Sequence, residues 1–300
     1  MVSCTIVIPT HNREALLERA VKSALAGCPE DGEVLVVDDK SDLPAEQALA
    51  HFSDPRLHVT VNQGTSGAAS ARNCGVFKAA GEVIFFLDDD DEMRPDYCAR
   101  VLTVDGPAAS ASWGFASTIE RWERMGNAHD VPRTRRRLRD GLVPATARPR
   151  DQIAAMSDGF WIRKSLFMQV GGLDPAQTID EDTDLCTRLL SFAHRPWYTT
   201  SPGTVVYRGY VPARTGAAQL TVATPVQRGL ACYRRTYDKN SAAFSPYSAM
   251  RWFLATRYLR RAIKAGQWPD AVAFACSQRP KFLALGLCAY AHLKRLAPRK

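Results

Sequence analysis

Val83-Ile-Phe-Phe-Leu87 runs without a break into Asp88-Asp-Asp-Asp91. A short, near-continuous apolar run that stops on carboxylates reads as a strand buried on both faces and ending in a polar loop. Three further apolar runs precede it, at residues 5–8, 34–37 and 57–61. Helix-like stretches lie between them at about 13–26, 45–52 and 68–80. This alternation predicts an α/β fold with a mostly parallel, Rossmann-like sheet flanked by helices.

In such sheets ligands bind beyond the carboxyl ends of the strands. The four strand ends are Pro9-Thr-His11-Asn-Arg13, Asp38-Asp39-Lys-Ser41, Asn62-Gln-Gly64 and the acidic run 88–91. Each delivers polar groups to one edge. Four adjacent carboxylates repel one another, and a divalent cation turns that repulsion into affinity. Mg²⁺ or Mn²⁺ prefers oxygen ligands and keeps positions open for phosphate. The alternative is a solvated acidic turn before a helix, where negative charge is stabilised. Asp38-Asp39 is open in the same way, between a sugar or base contact and a turn-forming cap.

Gly64-Thr-Ser-Gly67 followed by Ser70-Ala-Arg72-Asn73 places small residues at a strand-to-helix passage, with an Arg just inside the helix. That arrangement suits phosphate. The chain contains no GxGxxG and no GxxxxGK[ST], which argues against dinucleotide and P-loop sites. Asp180-Glu-Asp182-Thr-Asp184 opens a helix expected over 182–192. Acids at a helix start are common caps, and a general base for an acceptor hydroxyl is the functional alternative.

Past residue 105 the alternation fades. Strands are expected at 111–119, 160–162 and 205–210, a mobile Arg-, Gly- and Pro-rich loop over 126–150, and helices from 224 with breaks near Ser245-Pro246 and Trp268-Pro269. The net charge of +8 is unevenly spread. Residues 133–150 carry seven Arg and one Asp, residues 251–300 eleven Lys or Arg and one Asp, and the remainder is net acidic by eight. A uniform nucleic-acid-binding surface is excluded. Eight cysteines without a CxxC pair read as small buried hydrophobes rather than disulfides or zinc ligands. No secretory signal is legible at the start, and the apolar run 282–291 is shorter than the roughly 20 residues a bilayer span needs. The expected location is cytoplasmic.

The order Ile6-Val-Ile-Pro-Thr-His-Asn-Arg13, Val36-Val-Asp-Asp39, Asn62-Gln-Gly64, Ala71-Arg-Asn-Cys-Gly75, Ala80-Gly-Glu82 and Phe86-Leu-Asp-Asp-Asp-Asp91 resembles family 2 glycosyltransferases of the GT-A fold. Gly171-Gly-Leu-Asp174 and Glu181-Asp-Thr-Asp-Leu185 with Arg188 continue the likeness, which covers about residues 3–210. It implies a metal-dependent, inverting transfer from a nucleoside-diphosphate sugar to a hydroxyl of a saccharide, lipid-linked or small-molecule acceptor, with Mn²⁺ or Mg²⁺ as cofactor. Pro9, His11 and Asp39 match the positions that cradle the nucleoside, and Arg72 a contact near the phosphates. Asp88 and Asp90 bracket the family's DxD, with Asp90 the foremost metal ligand and Asp88 beside it. Asp89 joins the donor contacts, and Asp89 or Asp91 can share the metal. Asp182 falls where the family places its base, with Glu181 orienting it. The resemblance departs after 205–207, where many relatives offer a His near the metal and this chain has Arg208-Gly-Tyr210. Either the metal is held weakly there, or Arg208 supplies charge itself.

The expected organisation is a donor half over 1–105, an acceptor half over 106–215 and a helical extension over 216–300. Trp161, Trp197 and Tyr198 are core residues or sugar-stacking faces. The 133–150 loop closes over the donor or meets an anionic acceptor, or is merely solvated. The amphipathic stretch 250–264 sets Leu254, Ala255, Tyr258, Leu259 and Ile263 against Arg257, Arg260, Arg261 and Lys264. With Lys294, Arg295, Arg299 and Lys300 it suits an anionic membrane surface, or else it packs on the catalytic domain or a second copy. The remaining alternatives to a transferase are a non-catalytic sugar-nucleotide binder and a nucleotidyltransferase, whose early Gly-rich loop is absent.

Overall fold

The computed structural model describes residues 3–103, 105–124, 127–208 and 224–296. The first hundred residues form β1 (Cys4–Thr10), α1 (Glu14–Gly27), β2 (Glu33–Asp38), α2 (Ala45–Ala48), β3 (Leu57–Val61), α3 (Ala68–Lys78) and β4 (Val83–Phe86). Their side chains explain the unbroken apolar runs. Val7, Leu35, Val37, Ile84 and Phe86 enter one hydrophobic core, while Ile6, Ile8, Val34, Val36 and Phe85 enter a second on the opposite face. Each such burial contributes about 1.5–3 kcal/mol, so both faces of the central strands are mostly apolar, and the buried Thr5 of β1 is satisfied by a hydrogen bond to Glu33. Gly75 lets α3 lie close on the sheet, since a Cβ there would meet Val7 Cγ1 at 2.4 Å.

The middle of the chain adds β5 (Glu92–Met93), α4 (Tyr97–Leu102), α5 (Pro107–Ser110), β6 (Trp113–Arg124), β7 (Asn127–Arg133), β8 (Gly141–Leu142), α6 (Pro149–Gln152), β9 (Trp161–Arg163), α7 (Lys164–Gln169), α8 (Glu181–Ser191) and β10 (Trp197–Arg208). The sheet order is β3-β2-β1-β4-β9-β6-β10-β5, with β7 on β6 and β8 on β10. The pairings β1–β2, β2–β3, β1–β4 and β6–β10 are parallel. Antiparallel β9 joins β4 to β6. Strands β4, β6 and β10 therefore point the same way, which brings Arg208 at the end of β10 to the edge where the 88–91 run emerges.

Three expectations are revised here. The helix expected over 45–52 closes after Ala48, where the backbone tightens to three-residue bonds, Ala50 to Gln47 at 3.3 Å and Phe52 to Leu49 at 2.9 Å. The 126–150 stretch is not one loop, although Gly126 itself lies outside the described residues. Its first part is β7, antiparallel to β6 and fastened by Arg121 to Asp130 and Arg133 to Glu120. Cross-strand ion pairs replace the apolar alternation that would have announced a strand. The strand expected over 205–210 is the end of a longer one that starts at Trp197, and Gly209 and Tyr210 lie outside the described residues.

The C-terminal part comprises α9 (Val226–Asn240), α10 (Ala249–Lys264), α11 (Trp268–Ser277) and α12 (Lys281–Leu296). Tyr233, Tyr237, Leu254, Ala255, Tyr258 and Leu259 join the same core as Leu185 and Leu189 of α8. The apolar side of α10 is thus occupied by protein, which leaves that face unavailable to a membrane. Arg257, expected on the charged side, turns inward. Of the terminal charges, Arg299 and Lys300 lie outside the described residues, as do the side chains of Lys294 and Arg295. No described helix is long and apolar enough to cross a membrane. All eight cysteines are free thiols.

Candidate active site

A cleft of about 710 Å³ opens along the carboxyl edge of the sheet. It is lined by Pro9, His11, Asp39, Arg72, the whole 88–91 run, Glu181 and Asp182, so the residues expected to contact the donor, the metal and the acceptor proton all reach one cavity. These residues come from distant segments of the chain, brought together where the parallel strands β1, β2 and β4 end.

At the β2 end, Asp38 and Asp39 part company. Asp38 accepts the backbone N–H groups of Ser41 and Ala45 at 2.8 and 2.9 Å, the turn-forming role. Asp39 lines the cleft and accepts Asn62 Nδ2 at 2.6 Å, Ser66 Oγ at 2.8 Å and the Gly67 N–H at 2.6 Å. Gly67 has φ +136, which a side chain would resist. A carboxylate has about four acceptor positions, so Asp39 keeps capacity for a ligand while it shapes the 62–67 loop. The His11 ring is held by its Nδ1 against the Asp39 carbonyl oxygen at 2.9 Å.

The acidic run divides by partner. Asp89 is buried and accepts Thr10 Oγ1 at 2.9 Å and Arg13 Nη1 at 3.0 Å. Burial pushes its carboxyl up to about 7, with Arg13 pulling the other way. Asp88, Asp90 and Asp91 instead each offer a carboxylate oxygen, all within 4.8 Å of one another. Burial first, and repulsion from Asp88 second, raise Asp90 and Asp91 above the ordinary carboxylate range. Tyr207 donates its N–H to Asp91 at 3.0 Å, so β10 positions the third carboxylate. This trio of hard oxygen donors, reached among the described residues by only two guanidiniums, Arg72 at Asp88 and Arg13 at Asp90, fits a divalent cation. Asp91 provides the third carboxylate of the trio, while Arg208 lines the cleft and lies 3.4 Å from Glu120.

Arg72 joins this cluster to the second acidic group. Its side chain is 7% exposed and reaches Asp88 at 2.6 Å and Glu181 at 3.1 Å. Burial works against its charge, and Asp88 and Glu181 outweigh that effect, so the guanidinium stays charged. Asp182 accepts the N–H of Thr183 at 2.5 Å on Oδ1. Among the described residues its Oδ2 has no hydrogen-bond partner. Burial, then Glu181 and Asp180, push the Asp182 carboxyl up to about 7, with Arg257 opposing. A carboxylate tuned near neutral pH beside a cleft suits proton abstraction.

Residues 5–167 match the family model described as glycosyl transferase family 2. The chain belongs to that family. An uncharacterized glycosyltransferase of Haemophilus influenzae is 28% identical over 62% of this chain and 61% of its own length. The GalNAc(5)-diNAcBac-PP-undecaprenol β-1,3-glucosyltransferase of Campylobacter jejuni is 35% identical over 31% of each chain. A β-1,3-glucosyltransferase of Escherichia coli, WfgD, is 36% identical over 29% of this chain and 34% of its own. The chain therefore spans less than two thirds of the length of these relatives. Residues 1–349 of Staphylococcus aureus TarS, solved with UDP-GlcNAc, superpose with a TM-score of 0.72 at 16% identity, covering 98% of this chain and 88% of that one. The shared fold is the GT-A arrangement with C-terminal helices.

Several lining residues had no sequence signal that singled them out. Met156 and Ser157 come from the loop before β9, Tyr207 from the end of β10, and Arg228 from the first turn of α9. Arg13 stood inside a quoted motif without a role, and it pairs with Asp89 and Asp90. Sugar stacking falls away for Trp161 and Tyr198, and the 133–150 stretch stands outside the cleft lining. Trp161 and Tyr198 are at most 1% exposed and belong to the core, so they offer no face to a sugar. Trp197 packs partly buried against it. None of residues 133–150 lines the cleft, and Arg135 is instead spent on Asp158 at 3.0 Å and on the Ile153 carbonyl.

Proposed function

We propose that this chain transfers a glycosyl group from a nucleoside-diphosphate sugar to an acceptor hydroxyl with inversion. The observation that carries the reading is Arg72, whose single guanidinium spans from Asp88 of the oxygen-donor trio to Glu181 beside Asp182. A diphosphate near the trio and a hydroxyl near Asp182 would then meet across one sugar. His11 and Asp39 receive the nucleoside at the β2 end, and residues 1–105 act as the donor half. Oδ2 of Asp182 takes the proton of the acceptor hydroxyl as its oxygen attacks C1 from the face opposite the diphosphate. The C1–O bond breaks, and the nucleoside diphosphate leaves with the electron pair. Asp88, Asp90 and Asp91 would hold a divalent cation, which would supply charge neutralisation for that leaving group. Residues 106–215 frame the acceptor. The names of the Campylobacter and Escherichia relatives support a saccharide on a lipid diphosphate as acceptor class.

A thermal-shift panel of UDP-, dTDP- and GDP-sugars, each with and without Mn²⁺, tests the donor site on wild type and Asp90→Ala. One nucleotide series is expected to stabilise the wild type only with Mn²⁺, by about 2–4 °C or more, and to lose that effect in the variant. Equal shifts in both proteins, or none in either, would overturn the assignment.

A further inference from the structure

The segment 174–184 around Asp182 contains three acids besides Glu181 and Asp182, and helices α9 and α10 meet all three. Asp174 pairs with Arg235 at 2.6 Å and Lys239 at 2.9 Å. Asp184 is fully buried and meets Lys239 at 3.0 Å and Asn240 at 2.9 Å, besides Arg188 of its own helix. Asp180 accepts Thr236 Oγ1 at 2.8 Å and an Arg257 Nη2–H. Glu181 and Asp182 receive no group from either helix by hydrogen bond and remain directed at the cleft.

Asp180 is the most informative of these. It occupies the residue before α8 with φ +69, a left-handed conformation that non-glycine residues adopt sparingly. An Asp in that position ordinarily caps the helix through its own side chain. Here its side chain makes no cap bond to α8 and turns away, 1% exposed, onto Thr236 and Arg257. The turn that aims Glu181 and Asp182 is therefore held from outside its own helix. Arg257 is in turn fixed between the rings of Tyr233 and Phe253, at 5.3 and 5.5 Å. Gly229 allows α9 to approach the wall of the cleft, since a Cβ there would lie 3.2 Å from Ile179 Cδ1.

Taking Asp182 as the base, we infer that helices α9 and α10 are its positioning scaffold, with Arg257 acting through Asp180 as the residue that fixes the base-bearing turn. The C-terminal helices thereby belong to the catalytic apparatus. Misplacing a base by about 1 Å can cost on the order of 10²-fold in rate without a comparable change in ground-state binding.

The test uses the full chain and the sugar nucleotide that stabilises it, with water as acceptor and nucleoside diphosphate release as readout. A water proton passes to Asp182, the water oxygen bonds to C1, and the C1–O bond to the diphosphate breaks. Arg257→Met is expected to lower kcat by about 10- to 100-fold while donor KM moves less than about twofold. Arg257→Lys, which keeps the charge, should recover most of the loss, and Thr236→Val should lower kcat by a smaller factor of about three, with KM unmoved. Wild-type kcat in Arg257→Met, or kcat and KM falling together without rescue by Lys, overturns the inference. If Arg257→Met does not fold, unchanged kcat in both Arg257→Lys and Thr236→Val at wild-type Tm does the same, since a strictly held turn should register the lost Thr236 bond. Asp182→Asn run in parallel separates the two claims. Full turnover there refutes the base itself, whereas an inactive Asp182→Asn beside a fully active Arg257→Met refutes only the scaffold.

Discussion

The cleft holds two acidic runs, 88–91 at the end of β4 and 180–184 at the start of α8, and they are balanced in opposite ways. The first is served from nearby sequence and left with surplus charge. Its cations, Arg13, Arg19 and Arg72, all come from the first hundred residues, and three carboxylates still converge within 4.8 Å. The second is served from afar and nearly neutralised. Arg257, Lys239 and Asn240 arrive from helices more than fifty residues downstream and cover Asp180 and Asp184. Surplus charge suits a site that binds a cation, while selective neutralisation leaves a single carboxylate free to move a proton. The same residue type thus does two jobs, decided by how many partners the fold supplies.

The largest effect expected from breaking this contrast is at Asp182. Asp182→Asn keeps the shape and removes the acceptor for the proton, so turnover should fall about 10³-fold, roughly 4 kcal/mol of barrier, with donor affinity unchanged. Only the deprotonated carboxylate takes a proton, and its pKa is about 7. Wild-type kcat should accordingly drop about tenfold per unit as pH falls below 7 and level off above it. Glu181 and Asp180 hold that value up and Arg257 holds it down. Steady-state rates from pH 5.5 to 8.5 check both statements. A flat profile, or an Asn variant that turns over normally, places the base elsewhere.

Arg72 is the link between the two runs, and removing it should be felt next. Arg72→Met leaves Asp88 and Glu181 without their shared cation. Breaking a buried pair from one side costs about 3–5 kcal/mol. Because both partners keep some contact with cleft water, at 29% and 16% exposure, the expected loss is near about 3 kcal/mol in urea denaturation. Arg72→Lys should restore less than half, since an ammonium cannot fork to two carboxylates. If Lys restores full stability, the bridge is a matter of charge alone and the geometric link between the clusters dissolves.

The same contrast explains what was legible in the sequence. The β1–β4 edge of the cleft was readable because its strands are buried on both faces and their ends follow one another in chain order, so apolar runs and the polar residues after them mark the edge directly. Asp182 was readable through its motif. Its environment was not, because Thr236 and Arg257 sit on helices whose pattern records only the apolar faces of Tyr233, Tyr237, Leu254 and Tyr258. A charged residue on the polar side of an amphipathic helix looks the same whether it meets solvent or a buried Asp, so Arg257 could be placed only on the charged side of its helix. β7 was hidden differently. Its pairing rests on Arg121 with Asp130 and Arg133 with Glu120, and charge pairs carry no period that a single sequence displays.

The smallest effect sharpens the contrast most. Lys239 touches both Asp174 and Asp184, yet Asp184 also has Arg188 and Asn240, and Lys239 is 33% exposed. If neutralisation of the second run is redundant at Asp184 and singular at Asp180, Lys239→Met should cost no more than about 1 kcal/mol of stability and leave kcat within about twofold. Urea denaturation and nucleoside diphosphate release, measured on the same preparation, decide it. A kcat loss as large as that expected for Arg257→Met would mean that the whole 174–184 segment responds as one unit, and that no single contact sets the aim of Asp182.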